Sequence, residues 1–262
     1  MGGMGHDERS VVVSRADQLL GPATRRGFLR ALGLGGTIVL LPTVFAACRD
    51  DDVATGLAPH GATRDVTGAA ATALTLDLSN DIGIFNYAYA LEQLEAAFYT
   101  QVVTASGFGS TFNAADREML TDIWHDEVGH REFLKLALGS AAIPGLTPNF
   151  GAVNFNDRNS VLTTARTFED LGVAAYNGAG RYIRNANNLL MAGKIVSVEA
   201  RHAASIRDTL DTSGTAFADL GSLSAFGADS ATGRDGALAP SAVLPLAAPF
   251  IQDTIAIGTQ PS

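Results

Sequence analysis

Apolar residues recur at intervals of three and four positions in four stretches of the chain, the spacing of one face of an α-helix. Asn113 is a suitable N-cap for the second stretch, and Gly139 ends it ahead of Pro144 and Pro148. Only a few residues separate the last two stretches, whereas residues 139–156 separate the second from the third. The pattern therefore predicts an all-α fold, a four-helix bundle of two helical hairpins with a long crossover. The predicted helices span residues 81–103, 114–138, 157–183 and 187–210.

Carboxylate and imidazole groups interrupt the apolar stripe of every predicted helix near its middle. A charged group on a core stripe is costly unless it is paired or bound to a metal, because it loses its hydration there. The same interruption in four helices at corresponding depths calls for a common cause. We refer to these side chains as the six-residue set: Glu92 on the first helix, Glu127 and His130 on the second, Glu169 on the third, and Glu199 and His202 on the fourth.

The six-residue set has the composition of a site for two metal ions. Two helices carry Glu-x-x-His, which places both side chains on one face, and the other two contribute one glutamate each to the set. This is the ligand set of ferritin-like bundles that hold two iron or manganese ions. Carboxylates can bridge two divalent ions and offset their charge, while each imidazole supplies one nitrogen. The sequence predicts two Fe or Mn ions, and the ligand types do not separate the two metals. The alternative is a bundle that has lost its metal and pairs its carboxylates with other side chains.

In each hairpin, a tyrosine follows the glutamate that the first helix contributes to the six-residue set by seven positions. Glu92 precedes Tyr99, and Glu169 precedes Tyr176, so that each hairpin repeats Glu, Tyr and then Glu-x-x-His. Such duplication is expected of two hairpins packed around paired metals with approximate twofold symmetry. The two tyrosines are interpreted as core aromatics, with hydrogen bonding next to the metal as the alternative. The sequence identifies no catalytic residue beyond these two candidates.

Two short motifs resemble a known family. LEQLEAAFY, which ends at Tyr99, and EVGH, which ends at His130, are similar to bacterial ferritin-like domain proteins, a group that includes exported desiccation-related proteins. The resemblance covers roughly residues 80–210 and implies a ferritin-like bundle with a diiron-type centre, but it implies little about the reaction. It also leaves two glutamates one turn apart as candidate ligands. The spacing to Tyr99 favours Glu92, and Glu95 is kept as a reserve ligand.

The N-terminal part resembles an export signal. Arg25 and Arg26 precede an uncharged run over residues 31–47, as in twin-arginine signal peptides. This interpretation makes residues 1–48 a signal peptide and the twin-arginine export machinery a partner. The alternative is a short membrane anchor that is never cleaved.

The single cysteine, Cys48, closes the apolar run in a sequence similar to a bacterial lipobox. The protein is then predicted to be exported to the periplasm or cell envelope. Lipidation at Cys48 would anchor it to a membrane there without a spanning helix. The alternative is ordinary cleavage near Ala46 and Ala47, with Cys48 incidental. Residues 49–76 are predicted as a flexible linker, 77–211 as the bundle, and 212–262 as an irregular Gly/Ala/Ser-rich tail whose apolar part, 243–257, could pack on the core.

The composition of the chain narrows the range of possible functions. A net charge of −9 argues against nucleic acid, and one cysteine excludes an internal disulfide or a cysteine-built metal site. Four charged residues of the predicted helices are interpreted as parts of solvated helix faces: Arg131, Glu132, Arg201 and Arg207. Two functions remain: a di-metal oxidoreductase that reacts with O₂ or peroxide, in metal oxidation or oxidative-stress protection, and a non-enzymatic surface lipoprotein with a protective, desiccation-related or binding role. The sequence does not set the oligomeric state.

Overall fold

A computed structural model of the chain describes residues 73–211 and 213–260, together with the backbone of two short strands nearer the N-terminus. These strands, β1 (Ser10–Val13) and β2 (Thr37–Leu40), pair in parallel within a unit of their own. Arg25, Arg26 and Cys48 lie outside the described residues, so export and lipidation stay predictions.

The predicted four-helix bundle is confirmed. Its first hairpin is formed by α1 and α3, which are joined through the short helix α2, and its second hairpin is formed by α4 and α5. The second helix has the predicted bounds, and the other three differ from prediction by one to three residues at their ends. Within the described part of the chain, no helix is both long and apolar enough to cross a membrane. The helices are α1 (Asp81–Thr104), α2 (Phe108–Thr111), α3 (Ala114–Leu138), α4 (Arg158–Gly180) and α5 (Ala186–Leu210).

Each bundle helix begins at an Asn or Asp side chain that accepts hydrogen bonds from the first turn. Asn80 caps α1, and Asp157 and Asn185 cap α4 and α5. Asn113 forms a capping box with Asp116 at the start of α3. Such caps satisfy backbone N–H groups that have no partner inside the helix, which is why short polar residues mark these starts in the sequence.

Helix α1 is buried around most of its circumference rather than along one stripe. The crossover, residues 139–157, covers the side that would otherwise face solvent. Asn86 holds it there by donating to the carbonyl of Ala141 at 2.9 Å and accepting from the amide of Ile143 at 2.8 Å. The first helix of the bundle is therefore its central element.

The C-terminal segment packs on the bundle and ends in a strand. Helix α6 (Pro240–Ala247) buries Val243 and Leu244, and β4 (Thr254–Thr259) pairs in parallel with β3 (Ala73–Asp77). Residues 73–76 of the predicted linker therefore belong to β3. The described part of the tail predicted over residues 212–262 contains a helix and a strand, because its apolar residues find partners far away in the sequence.

Arg207 joins the bundle to residues 216–222 of the C-terminal segment through polar contacts. Its guanidinium lies 2.9 Å from Asp170 and donates to the carbonyls of Ala216 and Asp219 and to the hydroxyl of Ser222. The interpretation of Arg207 as a solvated residue was wrong, since it is only 8% exposed. Burial raises the pKa of Asp170 to about 6 even though Arg207 lies beside it.

Candidate metal centre

The six-residue set converges at the middle of the bundle. Its four glutamates are fully buried, His202 is nearly so, and the side chain of His130 is 13% exposed. Each helix contributes its members at the same depth because the two hairpins pack with their repeated motifs facing one another. The structure thus brings together all six residues that the stripe pattern predicted.

These side chains form two overlapping groups of four, and within each group one ligand atom per residue lies within 4.8 Å of every other. Glu127 and Glu199 belong to both groups. The shared glutamates come from the two Glu-x-x-His motifs, so each could contact ions in two neighbouring positions. Group A contains Glu92, Glu127, His130 and Glu199, and group B contains Glu127, Glu169, Glu199 and His202.

Both imidazoles point Nδ1 into the centre. Nδ1 of His130 lies 2.9 Å from Oε1 of Glu199 and 3.6 Å from Oε2 of Glu92. Nδ1 of His202 lies 2.7 Å from Oε1 of Glu127 and 3.5 Å from Oε2 of Glu169. Each histidine thus faces one glutamate that belongs to its own group alone and one glutamate that both groups share.

Several of these polar atoms are buried without a well-formed hydrogen bond. They include Oε2 of all four glutamates of the set. Leaving such atoms unsatisfied costs free energy, and a cation between them would satisfy many of them together. The donor set of hard carboxylate oxygens and imidazole nitrogen suits iron or manganese. The residues present therefore fit a metal centre.

Burial changes the acid–base properties of the centre. It raises the pKa of Glu127 to about 7 and that of Glu199 well above its usual range. Burial alone would lower the pKa of His202, but its contacts with Glu127 and Glu169 outweigh this effect and raise the pKa to about 11. The pKa of His130 is raised in the same way. Without a metal the imidazoles act as the cations of the cluster, so metal binding must displace protons from them.

The two tyrosines contact ligand carboxylates across the hairpins. The hydroxyl of Tyr99 donates to Oε1 of Glu169 at 2.5 Å, and that of Tyr176 donates to Oε1 of Glu92. Both tyrosines are thus buried in the core and are also hydrogen-bonded to carboxylates of the candidate centre. The partner in each case is the glutamate of the opposite hairpin, not the glutamate seven residues earlier.

Sequence reasoning missed Asp126. Its carboxylate lies 3.1 Å from Nε2 of His202, although the Asp126 side chain is 55% exposed. A carboxylate on Nε2 fixes the proton there and leaves Nδ1 free to bind a metal. The sequence feature that could have indicated this role is the position of Asp126 directly before the glutamate of the Glu-x-x-His motif in α3. The equivalent position in α5 is Val198, so the two histidines differ in this respect.

The reserve ligand Glu95 is buried beside the centre but belongs to neither group. Burial, followed by the nearby Glu199 and Glu127, raises the pKa of Glu95 well above its usual range. His125 is exposed and lies against the ring of Trp124, outside the centre.

Fold and site together define a four-helix bundle with a buried carboxylate–imidazole cluster that could bind metal. A family model described as a ferritin-like domain matches residues 80–212, which include all four bundle helices and the six-residue set. The match extends over half of the chain, and the protein belongs to the ferritin-like domain family. No curated protein matches the sequence.

Proposed function

We propose that the protein holds a dinuclear iron or manganese centre in the six-residue set and that this centre reacts with O₂ or peroxide. The observation that carries the proposal is the sharing of Glu127 and Glu199 between groups A and B. Two sets of ligand atoms with two members in common would hold two ions, with Glu127 and Glu199 available to both.

Charge and burial support two ions rather than one. The four glutamates of the set are completely buried and together offset the charge of two divalent cations. A single divalent ion would leave two negative charges uncompensated in the core, which is costly. Each ion would also have its own imidazole and its own unshared glutamate.

A pair of iron or manganese ions would supply redox chemistry, and the chain would supply the surroundings. Tyr99 and Tyr176 hold the unshared glutamates, Asp126 orients His202, and the apolar side chains around the set limit the access of water. The reaction would be metal oxidation or protection against oxidative stress.

The test is reconstitution of metal-free protein with Fe²⁺ or Mn²⁺ under anaerobic conditions, followed by elemental analysis. We expect two ions per chain for the wild type, and fewer for His130→Ala and for His202→Ala. The exposed His125→Ala is the matched control and should bind as the wild type does. Less than one ion per chain in the wild type with either metal would overturn the proposal.

Consumption of O₂ or peroxide by the loaded sample tests the second half of the proposal. Turnover by the loaded wild type, lost in both histidine variants, would support an oxidoreductase. Two tightly bound ions without turnover would instead support the non-enzymatic protective or binding role, with the metal as a structural element.

We further propose that the protein is exported and held at the membrane by a lipid on Cys48. The support is the pair Arg25 and Arg26 ahead of the apolar run and the position of the only cysteine at its end. Mass spectrometry of the native mature protein should find an acylated cysteine as its first residue. An unmodified first residue elsewhere would overturn lipidation while leaving export possible.

A further inference from the structure

Glu95 is a fifth carboxylate at the centre, one turn beyond Glu92 on α1. Its side chain is only 4% exposed, and its Oε2 has no hydrogen-bond partner among the described residues. A buried carboxylate oxygen with no partner costs free energy, so its position calls for a ligand or another compensating contact.

The space for this carboxylate comes from a glycine on the other hairpin. Gly172 lies three residues after Glu169, as Glu95 lies three residues after Glu92, so the two positions correspond in the repeat. A Cβ atom at Gly172 would lie 3.0 Å from Oε1 of Glu95 and 3.1 Å from Oε2 of Glu199. Such contacts are tighter than carboxylate oxygens normally make. The missing side chain at Gly172 therefore lets Glu95 and Glu199 approach the same point.

This inference rests on the proposed dinuclear centre and extends it. We infer that Glu95 is a seventh protein ligand of the centre, which binds a metal ion together with the shared glutamate Glu199. The other hairpin has glycine at the equivalent position, so the centre is asymmetric.

The added ligand also changes the charge balance. Five carboxylates carry one negative charge more than two divalent ions neutralise, so the set stabilises a higher total metal charge than four carboxylates would. Removing the charge of Glu95 should therefore raise the reduction potential of a bound iron pair, in addition to weakening metal binding.

The experiment compares Glu95→Gln with Glu132→Gln, which changes an exposed glutamate of α3. Metal-free samples are titrated with Mn²⁺ and with anaerobic Fe²⁺ against a competing chelator. We expect Glu95→Gln to weaken binding of at least one ion by about tenfold or more and to raise the potential of the iron-loaded protein, and Glu132→Gln to change neither. Gly172→Ala should also weaken binding, because its Cβ displaces the Glu95 and Glu199 carboxylates.

Thermal unfolding of each metal-free variant checks the fold. If Glu95→Gln does not fold, Glu95→Asp, which keeps the charge but withdraws the carboxylate, takes its place, because Gly172→Ala also displaces Glu199. A wild type that binds two ions and a Glu95→Gln variant with the same two affinities and potential would overturn this inference alone. A wild type that binds less than one ion would overturn the dinuclear centre, and this inference with it.

Discussion

The hydroxyl of Tyr99 in the first hairpin donates a 2.5 Å hydrogen bond to Oε1 of Glu169 in the second. Tyr176 makes the reciprocal contact with Glu92. Because both tyrosines are buried, these bonds join the hairpins at the level of the candidate metal centre and fix the direction of two carboxylates that would otherwise be free to rotate.

Replacing Tyr99 with Phe should therefore destabilise the metal-free protein by about 1–3 kcal/mol, because it removes the donor from a buried carboxylate. It should also weaken metal binding, since Glu169 loses its fixed orientation. Denaturant unfolding and metal titration measure the two effects. Tyr182→Phe, outside the centre, is the control, and an equal response of both variants would contradict the role given to Tyr99.

Asp126 gives the second prediction, because its contact with Nε2 orients His202. Asp126→Asn should weaken the binding of the ion in group B by about 10–100-fold and have a smaller effect on the binding of the ion in group A. Asp122→Asn, an exposed carboxylate one turn earlier on α3, is the matched control. Stepwise titration with Mn²⁺ separates the two ions, and equal affinities in Asp126→Asn and wild type would rule out a positioning role.

Loss of metal should lower the melting temperature, since the two imidazolium groups offset only part of the charge of the buried carboxylates, which then repel one another. Glu169→Gln relieves that repulsion and can still accept the bond from Tyr99. We expect it to leave the metal-free protein as stable as the wild type or more stable, and to bind metal less tightly. Calorimetry of metal-free and loaded samples tests both effects, with the exposed Glu118→Gln as control. A clear loss of stability in the metal-free variant would show that the carboxylates do not repel one another there.

The start of α3 provides a pH prediction. Arg158 donates two hydrogen bonds to Asp116, of 2.7 and 2.9 Å, and these bonds lower the pKa of Asp116 below its usual value. Because the pKa is lower in the folded state, the stabilisation is complete above the unfolded value of about 3.9 and is lost as the pH falls through the folded value.

Asp116→Asn should therefore be less stable than the wild type at neutral pH, and the difference should shrink below about pH 4. Denaturant unfolding at a series of pH values gives this comparison. Asp122→Asn should show no such trend, and a difference for Asp116→Asn that is independent of pH would contradict the ion pair as its cause.

The export proposal predicts that Arg25→Lys together with Arg26→Lys leaves the precursor in the cytoplasm. Twin-arginine signals depend on the arginine pair rather than on positive charge alone. Cell fractionation and immunoblotting measure the distribution, and Arg30→Lys, a few residues later, is the control. Unchanged amounts of exported mature protein in the double variant would refute the signal.

Helix positions and the six-residue set could be predicted because both are local signals. A cap such as Asn113 marks a helix start, and a glutamate on an apolar stripe, such as Glu127, is visible within one helix. Arg207 and Asp126 could not be placed in this way. Their roles depend on Asp170 and His202, which other helices supply, and a pattern within one helix does not show which helix lies beside it.

The same limit applies to the burial of α1 and to the C-terminal segment. Helical periodicity predicts one apolar face, but residues 139–157 and the segment that contains α6 and β4 cover further sides of the bundle. The apolar residues around Val243 showed that this segment could pack on the core, but not that residues 254–259 would pair with residues 73–77.

That strand pairing sets the order in which the domain can be completed during synthesis. β3 leaves the ribosome before any bundle helix, whereas its partner β4 leaves it after all four. The pairing of β3 with β4 can therefore form only after the four helices have emerged. A nascent chain stalled before β4 would carry an unpaired edge strand, which is prone to associate with other chains. Emergence of β4 is thus a condition for the native state of the domain.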